Sequence, residues 1–539
     1  MRRTKTIAAA VVSLSLLAAA CTSATKKATS SSAANNPSGS VSTQPGSTAK
    51  ASHKQGGTVT IVNVQGQTWS CQFNPFNPAV YAESLGFVYE PLVFVNLLNN
   101  AAETPMLASS YTWGPDKKSI TFTIRDGVKW SDGQPFSADD VAFTFNLMKR
   151  VPATDLYSLW TGAGLETVTA TGNKVLLSFA KPAQPYFWYF ADQVGIVPQH
   201  IWTTAAVAAH PDTWADANPV GTGPFKVKSF SPGTQSTFVR FDGYWQARPY
   251  LDEIVITDYA DQVSQVNALL AGQVDAVNLL STDVISEVQG ESKNVLLSPG
   301  GGWNPFTMRV DTKPFNDVRV RQAMRLVVDR QQMLDLVFGG FGTLGNDLFG
   351  IWAPEYDHSL PQRHQDIDQA KSLLKAAGAE GLHVTLVTSD IAQGTVLAAQ
   401  VFAQQASAAG ISVSVDDVTV NEFYGTNYLK WQFAQDYWFY NLYLPQVSLA
   451  TLPSAPFNET HWNNPRYNSL YAQAIATGDD ALRTELAHEM QQIEYAEGGY
   501  IIPFFPPVIV GLGANVGGLV PSGIGLSLNA YDFRGVWLS

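Results

Sequence analysis

The residues of this 539-residue chain best suited to chemistry are aromatic rather than nucleophilic. Asp436 is followed by Tyr437, Trp438, Phe439, Tyr440, Asn441 and, two places on, Tyr443. Flat apolar faces interleaved with hydroxyl and amide groups suit capture of an apolar, cyclic, blocked or sugar-like molecule. Asp436 is the carboxylate nearest to them that could meet a positive charge. The plainer reading is a core strand, and the lack of a polar face of period two weighs against it for the group. Trp303-Asn304, directly after Gly300-Gly301-Gly302, forms a second candidate pair. Its plainer reading is a Trp packed at a domain edge.

Covalent and phosphoryl chemistry find no motif. The sequence holds no G-x-x-x-x-G-K-[ST], no H-E-x-x-H and no G-x-S-x-G. Its eight His residues are scattered without an i, i+4 pair, and no cluster of His or carboxylates suggests nickel or another metal. Gly340 to Gly345 matches G-x-G-x-x-G, but it follows a helical stretch instead of a strand, so a dinucleotide site fails its context test. Asp139-Asp140 falls in the first turn of a helix, where carboxylates oppose the helix dipole. A hydrolase would need two carboxylates about 5–10 Å apart across a cleft, and no nucleophile motif supports one. No cofactor is expected.

The N-terminus reads Met1-Arg2-Arg3-Thr4-Lys5, then a small and apolar run from Ile7 to Ala20, then Cys21. A basic start and a short apolar stretch describe a secretory signal over 1–20. The run is too short for a bilayer, which needs roughly 20 residues. A cysteine at the break resembles the bacterial lipoprotein box, which implies acylation of Cys21 and a tether to the outer face of the cell membrane. An ordinary secretory signal with an incidental cysteine is the other reading. Residues 21–55 are rich in Ser, Thr, Ala, Asn, Gly and Pro, too polar to offset their ordering entropy, and read as a flexible leash.

The rest of the chain must position the candidates. It is long enough for two or three domains with large cores. With 33 Lys and Arg against 45 Asp and Glu, its net charge of −12 argues against a nucleic-acid partner. Only Cys71 remains besides Cys21, so no disulfide frame is available. Strand patterns alternate with helix patterns, an α/β arrangement. Thr58 to Val62 opens the fold, and Ser119 to Arg125 alternates Ile120, Phe122 and Ile124 with polar residues. Ser137 with Asp140 reads as a capping box ahead of a helix carrying Val141, Phe145 and Met148. Strands follow at 225–227, 237–241 and 254–257, then a helix with Val263, Val266, Leu269 and Leu270 inward, then a strand at 275–277. After Asp317, Val320, Ala323, Met324, Val327 and Val328 form a core stripe, with Arg319, Arg321, Gln322, Arg325 and Asp329 opposite. Helices near 368–377 and 392–409 alternate with strands at 384–387 and 411–415. A last helix spans about 480–497, and Tyr500 to Phe505 reads as one buried strand.

Three blocks carry a family resemblance. They are Ile124-Arg125-Asp126-Gly127-Val128-Lys129-Trp130-Ser131-Asp132-Gly133, continuing to Val141; Asn218-Pro219-Val220-Gly221-Thr222-Gly223-Pro224-Phe225; and Pro314-Phe315-Asn316-Asp317-Val318-Arg319, continuing to Arg330. Weaker echoes lie at 368–374 and 461–467. In this order they resemble the extracellular solute-binding proteins of ABC importers, family 5, which serves oligopeptides, dipeptides and nickel. The resemblance implies a two-lobed periplasmic-binding-protein-like fold of type II, the large cluster C kind, with an extra inserted domain. Lobe I would comprise 56–90, 200–299 and 499–539, the inserted domain 91–199, and lobe II 300–498. A peptide or peptide-like ligand would be enclosed between lobes and passed to a permease and its ATPase, the receptor being a monomer. An oligosaccharide or other non-peptide ligand, a sensor or chaperone, and a surface hydrolase are the alternatives.

The same resemblance implies site residues. The family's oligopeptide binders have a Trp, two residues, then an Asp that pairs with the ligand amine, with a Pro four residues on. Here the stretch is Trp438-Phe439-Tyr440-Asn441, with Pro445. Asn441 thus stands where the carboxylate belongs, and a neutral amide offers no ion pair. Trp303 and Asn304 would mark the crossing between lobes. Tyr81 and Glu83 would lie on the loop that faces the ligand backbone.

Overall fold

The computed structural model describes residues 53–62, 73–76, 84–96, 102–203, 207, 211–259, 261–290, 293–521, 528 and 532–539. The signal, Cys21, nearly all of the leash, Cys71, Tyr81 and Glu83 lie outside the described residues.

Strand Thr58–Val62 shows why the first large sheet is buried on both faces. Val59 and Ile61 enter one apolar cluster, while Val62 enters another with Val277 and Ile509. Such two-sided burial needs layers on each side of a sheet. Among the described residues this sheet has seven strands, in the order Asn294–Ser298, Val508–Leu512, Ala276–Val277, Thr58–Val62, Glu253–Thr257, Gln235–Arg240 and Phe225–Ser231. The second sheet has five, ordered Ser412–Asp417, His383–Thr388, Phe433–Gln435, Phe306–Met308 and Tyr500–Ile501. Its parallel pair His383–Thr388 and Ser412–Asp417 is joined by the helix Thr395–Ser407, the crossover that a parallel pair requires.

A third, antiparallel sheet is ordered Ala108–Trp113, Ser119–Ile124, Lys174–Phe179 and Leu165–Thr171. Helix Ala138–Arg150 covers it and opens with the expected capping box at Ser137 and Asp140. Asp140 also accepts from the Gln199 N–H at 3.0 Å, so this carboxylate is structural. The glycine-rich bend at 340–345 follows helix Arg330–Phe338, which Gly339 closes in the left-handed conformation.

Three expectations are corrected. Tyr500 to Phe505 is two short strands. Tyr500–Ile501 pairs with the second sheet and Phe504–Phe505 with Thr343–Leu344. Pro503 between them has no N–H to continue a ladder. The chain therefore rejoins the first sheet at Val508–Leu512, after Phe505. Second, Arg321 and Arg325 are buried instead of solvated. Arg325 donates to the carbonyls of Tyr495 and Tyr500 at 2.9 Å each, which satisfies a guanidinium that burial would otherwise penalise. Third, Val263 is 72% exposed although Val266 and Leu269 of its helix are buried. It lies in the first turn of Gln262–Leu270, off the packed face.

Chain crossings between the two large sheets are tight. The outward path leaves Ser298 and reaches Phe306, and the return lies between Phe505 and Val508. A Cβ on Gly300 would stand 1.6 Å from the Pro506 carbonyl oxygen, so only glycine allows the two paths to touch.

Candidate functional site

Phe433–Gln435 pairs antiparallel with Phe306–Met308, and the ladder continues beyond the sheet. Trp303 and Trp438 exchange N–H donations at 3.0 and 2.9 Å. Their indoles stack at 5.8 Å and 10°, and Phe349 stacks on the other face of Trp303 at 5.3 Å. Trp303 is fully buried, so it is the base of the stack and not its exposed surface. Past the strand's end Phe439 points outward and is 66% exposed. Tyr440 turns inward, edge-on to Trp188 at 5.7 Å. A Cβ on Gly301 would meet the Tyr440 ring at 2.3 Å, so the crossing glycines make room for this aromatic.

Asn441 is held from two sides. The Tyr189 hydroxyl donates to its Oδ1 at 2.9 Å, and its Nδ2 donates to Gln446 Oε1 at 2.6 Å. Tyr189 belongs to the segment that carries the third sheet, so Asn441 ties that segment to the second sheet's body. Tyr186 meets Tyr471 hydroxyl to hydroxyl at 3.4 Å, a parallel contact between the same two bodies.

Asp436 makes its hydrogen bonds within the protein. It is buried, and its Oδ1 accepts from the Tyr424 hydroxyl and the Tyr437 N–H, both at 2.8 Å. Its neighbour is Glu459, buried as well, whose Oε2 accepts from Tyr500 at 2.9 Å and from Trp438 Nε1 at 3.4 Å. Glu459 Oε1 has no ordinary donor and faces Asp436. Burial raises the pKa of both groups, and a proton held between them removes the repulsion. Asn304 is likewise engaged, donating to the Gln393 carbonyl at 3.2 Å.

Trp303, Trp438, Tyr440 and Asn441 therefore come together. Phe439 lines the same segment from outside, and Asp436 and Asn304 brace it. The partners missed from sequence are Trp188, Tyr189, Gln446 and Glu459. The run Tyr186-Phe187-Trp188-Tyr189-Phe190 is as dense in aromatics as 437–443 and is the signal that could have found the first two. Beside this strand a cavity of about 300 Å³ opens between 184–188 and 442–445.

The profile of bacterial extracellular solute-binding proteins, family 5 (middle), matches residues 103–459, more than half of the chain. The chain belongs to this family. Among relatives in the family, the dipeptide-binding protein of Escherichia coli is 25% identical over 462 residues, covering 79% of this chain and 86% of its own. The crystal structure of the ABC transporter substrate-binding protein CtaP from Listeria monocytogenes superposes with a TM-score of 0.79 at 21% identity, covering 90% of this chain and 100% of its own. DppA of Helicobacter pylori, solved with the peptide STSA, gives 0.74 at 20%, covering 90% and 98%. The family 5 fold is two-lobed and α/β, as the sequence blocks imply. No helix among the described residues is long and apolar enough to cross a membrane.

Proposed function

We propose that this protein is the extracytoplasmic receptor of an ABC importer and captures a peptide or peptide-like ligand between its lobes. The observation that carries this reading is the Trp438-to-Asn441 segment facing the 186–190 aromatics, with polar cross-contacts between the two bodies. Closing such a cleft excludes water and strengthens each polar contact inside it. The Escherichia coli relative named for dipeptides and the Helicobacter pylori structure with a bound peptide support the ligand class. In this reading lobe I holds the first sheet, lobe II the second, and the inserted domain the third. The receptor acts as a monomer without a catalytic step or cofactor and hands its ligand to a permease and ATPase. Acylated Cys21 holds it on the outer face of the membrane, with the leash giving reach.

Thermal shift against peptide and oligosaccharide libraries tests the reading. A ligand at 100 times its dissociation constant adds about 2.7 kcal/mol of stability. Peptides that stabilise the protein and are recovered intact support it. Turnover of a peptide, or no stabilisation by any solute, overturns it. The neutral Asn441 favours blocked peptides or a non-peptide over free-amine peptides, and the same screen separates these. Labelled fatty acid should enter the wild-type protein and not Cys21→Ser.

A further inference from the structure

Helix Phe187–Ala191 has two faces with different partners. Phe187 and Phe190 pack into the third sheet's body, their rings 4.9 Å from Tyr111 and 5.4 Å from Phe179. Trp188 and Tyr189 face the second sheet's body. Tyr157 stacks on Tyr189 at 4.6 Å and 16° and fixes the ring whose hydroxyl meets Asn441. The turn ahead of the helix continues the line. Tyr186 meets Tyr471 of helix Pro465–Ala474, and Gln184 Nε2 donates at 3.2 Å to the carbonyl of Gly478, just before helix Asp480–Glu497. Tyr440 reaches the other way, into the apolar cluster that holds Phe122 and Phe190. Residues 184–189 thus touch three separate stretches of the second body.

These contacts have the character of a joint that can part. Segment 184–191 carries no charged side chain, so opening strands no buried ion. Its polar cross-contacts are made by hydroxyls and an amide, which exchange protein partners for water at small net cost. The cavity of about 300 Å³ between 184–188 and 442–445 interrupts the packing, so the two bodies are not joined there as one continuous interior. Donor and acceptor both belong to the chain in each of these bonds, so none of them waits for a solute. We propose that residues 184–189 form a latch that sets how much of the protein is closed before a solute arrives. Closure then has two sources, the latch and the solute, and affinity depends in part on side chains that the solute never touches. The inference goes beyond the receptor reading, because it concerns the protein alone.

Small-angle scattering of the full chain in solute-free buffer tests this. The variant Gln184→Ala/Tyr186→Phe/Tyr189→Phe removes the three polar cross-contacts and keeps every ring, so circular dichroism should stay native. Its closed-to-open ratio should fall on the order of a hundredfold, and its radius of gyration should rise above that of the wild type. A variant with native circular dichroism that scatters as the wild type does overturns the latch. Should that variant lose its native spectrum, Tyr186→Phe/Tyr189→Phe replaces it with an expected fall of about tenfold, and an unchanged radius there overturns the latch equally. Calorimetry supplies a second readout. Of leucyl-leucine, N-acetyl-leucyl-leucinamide and maltotriose, those that bind should lose affinity by one common factor, because each relies on the same closed form. A loss confined to one of them would make 184–189 a solute contact and overturn the latch. If no solute binds the wild type, the receptor reading falls, and the scattering result still decides the latch.

Discussion

Asn441 is a side chain whose replacement the structure can absorb. Gln446 Nε2 is buried without a partner while its Oε1 accepts from Asn441. In Asn441→Asp the Gln446 amide can turn over and donate to the new carboxylate, so the fold should tolerate a charge there. Affinity for free-amine peptides should rise about tenfold in calorimetry, and no change would count against placing the ligand amine at this position. Trp303 should behave oppositely. Lying between Phe349 and Trp438, its truncation to Ala removes the base of the stack, and urea denaturation should show a loss of about 3–5 kcal/mol. A loss under 1 kcal/mol would mean that Trp438 is held by its strand alone. The aromatic run at 437–443 was legible in the sequence because side-chain type alone announces it. The fate of Asp436 was not, since Tyr424 and Glu459 reach it from other elements, and Tyr500 in turn holds Glu459.

Elements were legible where a local rule governs them. The capping box at Ser137 and the helix Asp480–Glu497 depend on neighbours within a few residues. Burial of Arg321 and Arg325 was not legible, because a charge on a helix reads as solvated unless the carbonyls that receive it are known. The crossing paths show a similar limit. Gly300-Gly301-Gly302 suggests a bend, but its closeness to Pro506 joins residues some 200 apart. Gly300→Ala would drive a methyl into a carbonyl oxygen that has no side-chain freedom to yield. Overpacking of this kind costs about 1–3 kcal/mol. The melting temperature should fall and the ligand-induced change in small-angle scattering should shrink. A variant with wild-type melting and closure would show that the two paths separate freely.

At the scale of the molecule, buried acids set the pH dependence. Burial raises Glu494 from 4.5 to about 8, and Glu90 and Asp192 to about 7. Each is protonated in the folded protein and ionised in the unfolded chain between its two values. The unfolded state then binds fewer protons, so stability falls as pH rises from about 5 to 8. Scanning calorimetry should find a higher melting temperature at pH 5.5 than at pH 8. Glu494→Gln should flatten the upper part of that slope, and an unchanged slope would remove Glu494 as its source. A different consequence follows from the place of Val508–Leu512, between Asn294–Ser298 and Ala276–Val277 in the first sheet. This strand lies second from one edge of the sheet and is translated after all the sheet's other strands. During translation the nascent chain carries this sheet with a gap that nothing made earlier fills. A premature stop before Val508 would therefore split the sheet rather than trim its edge, and proteases should clear the product.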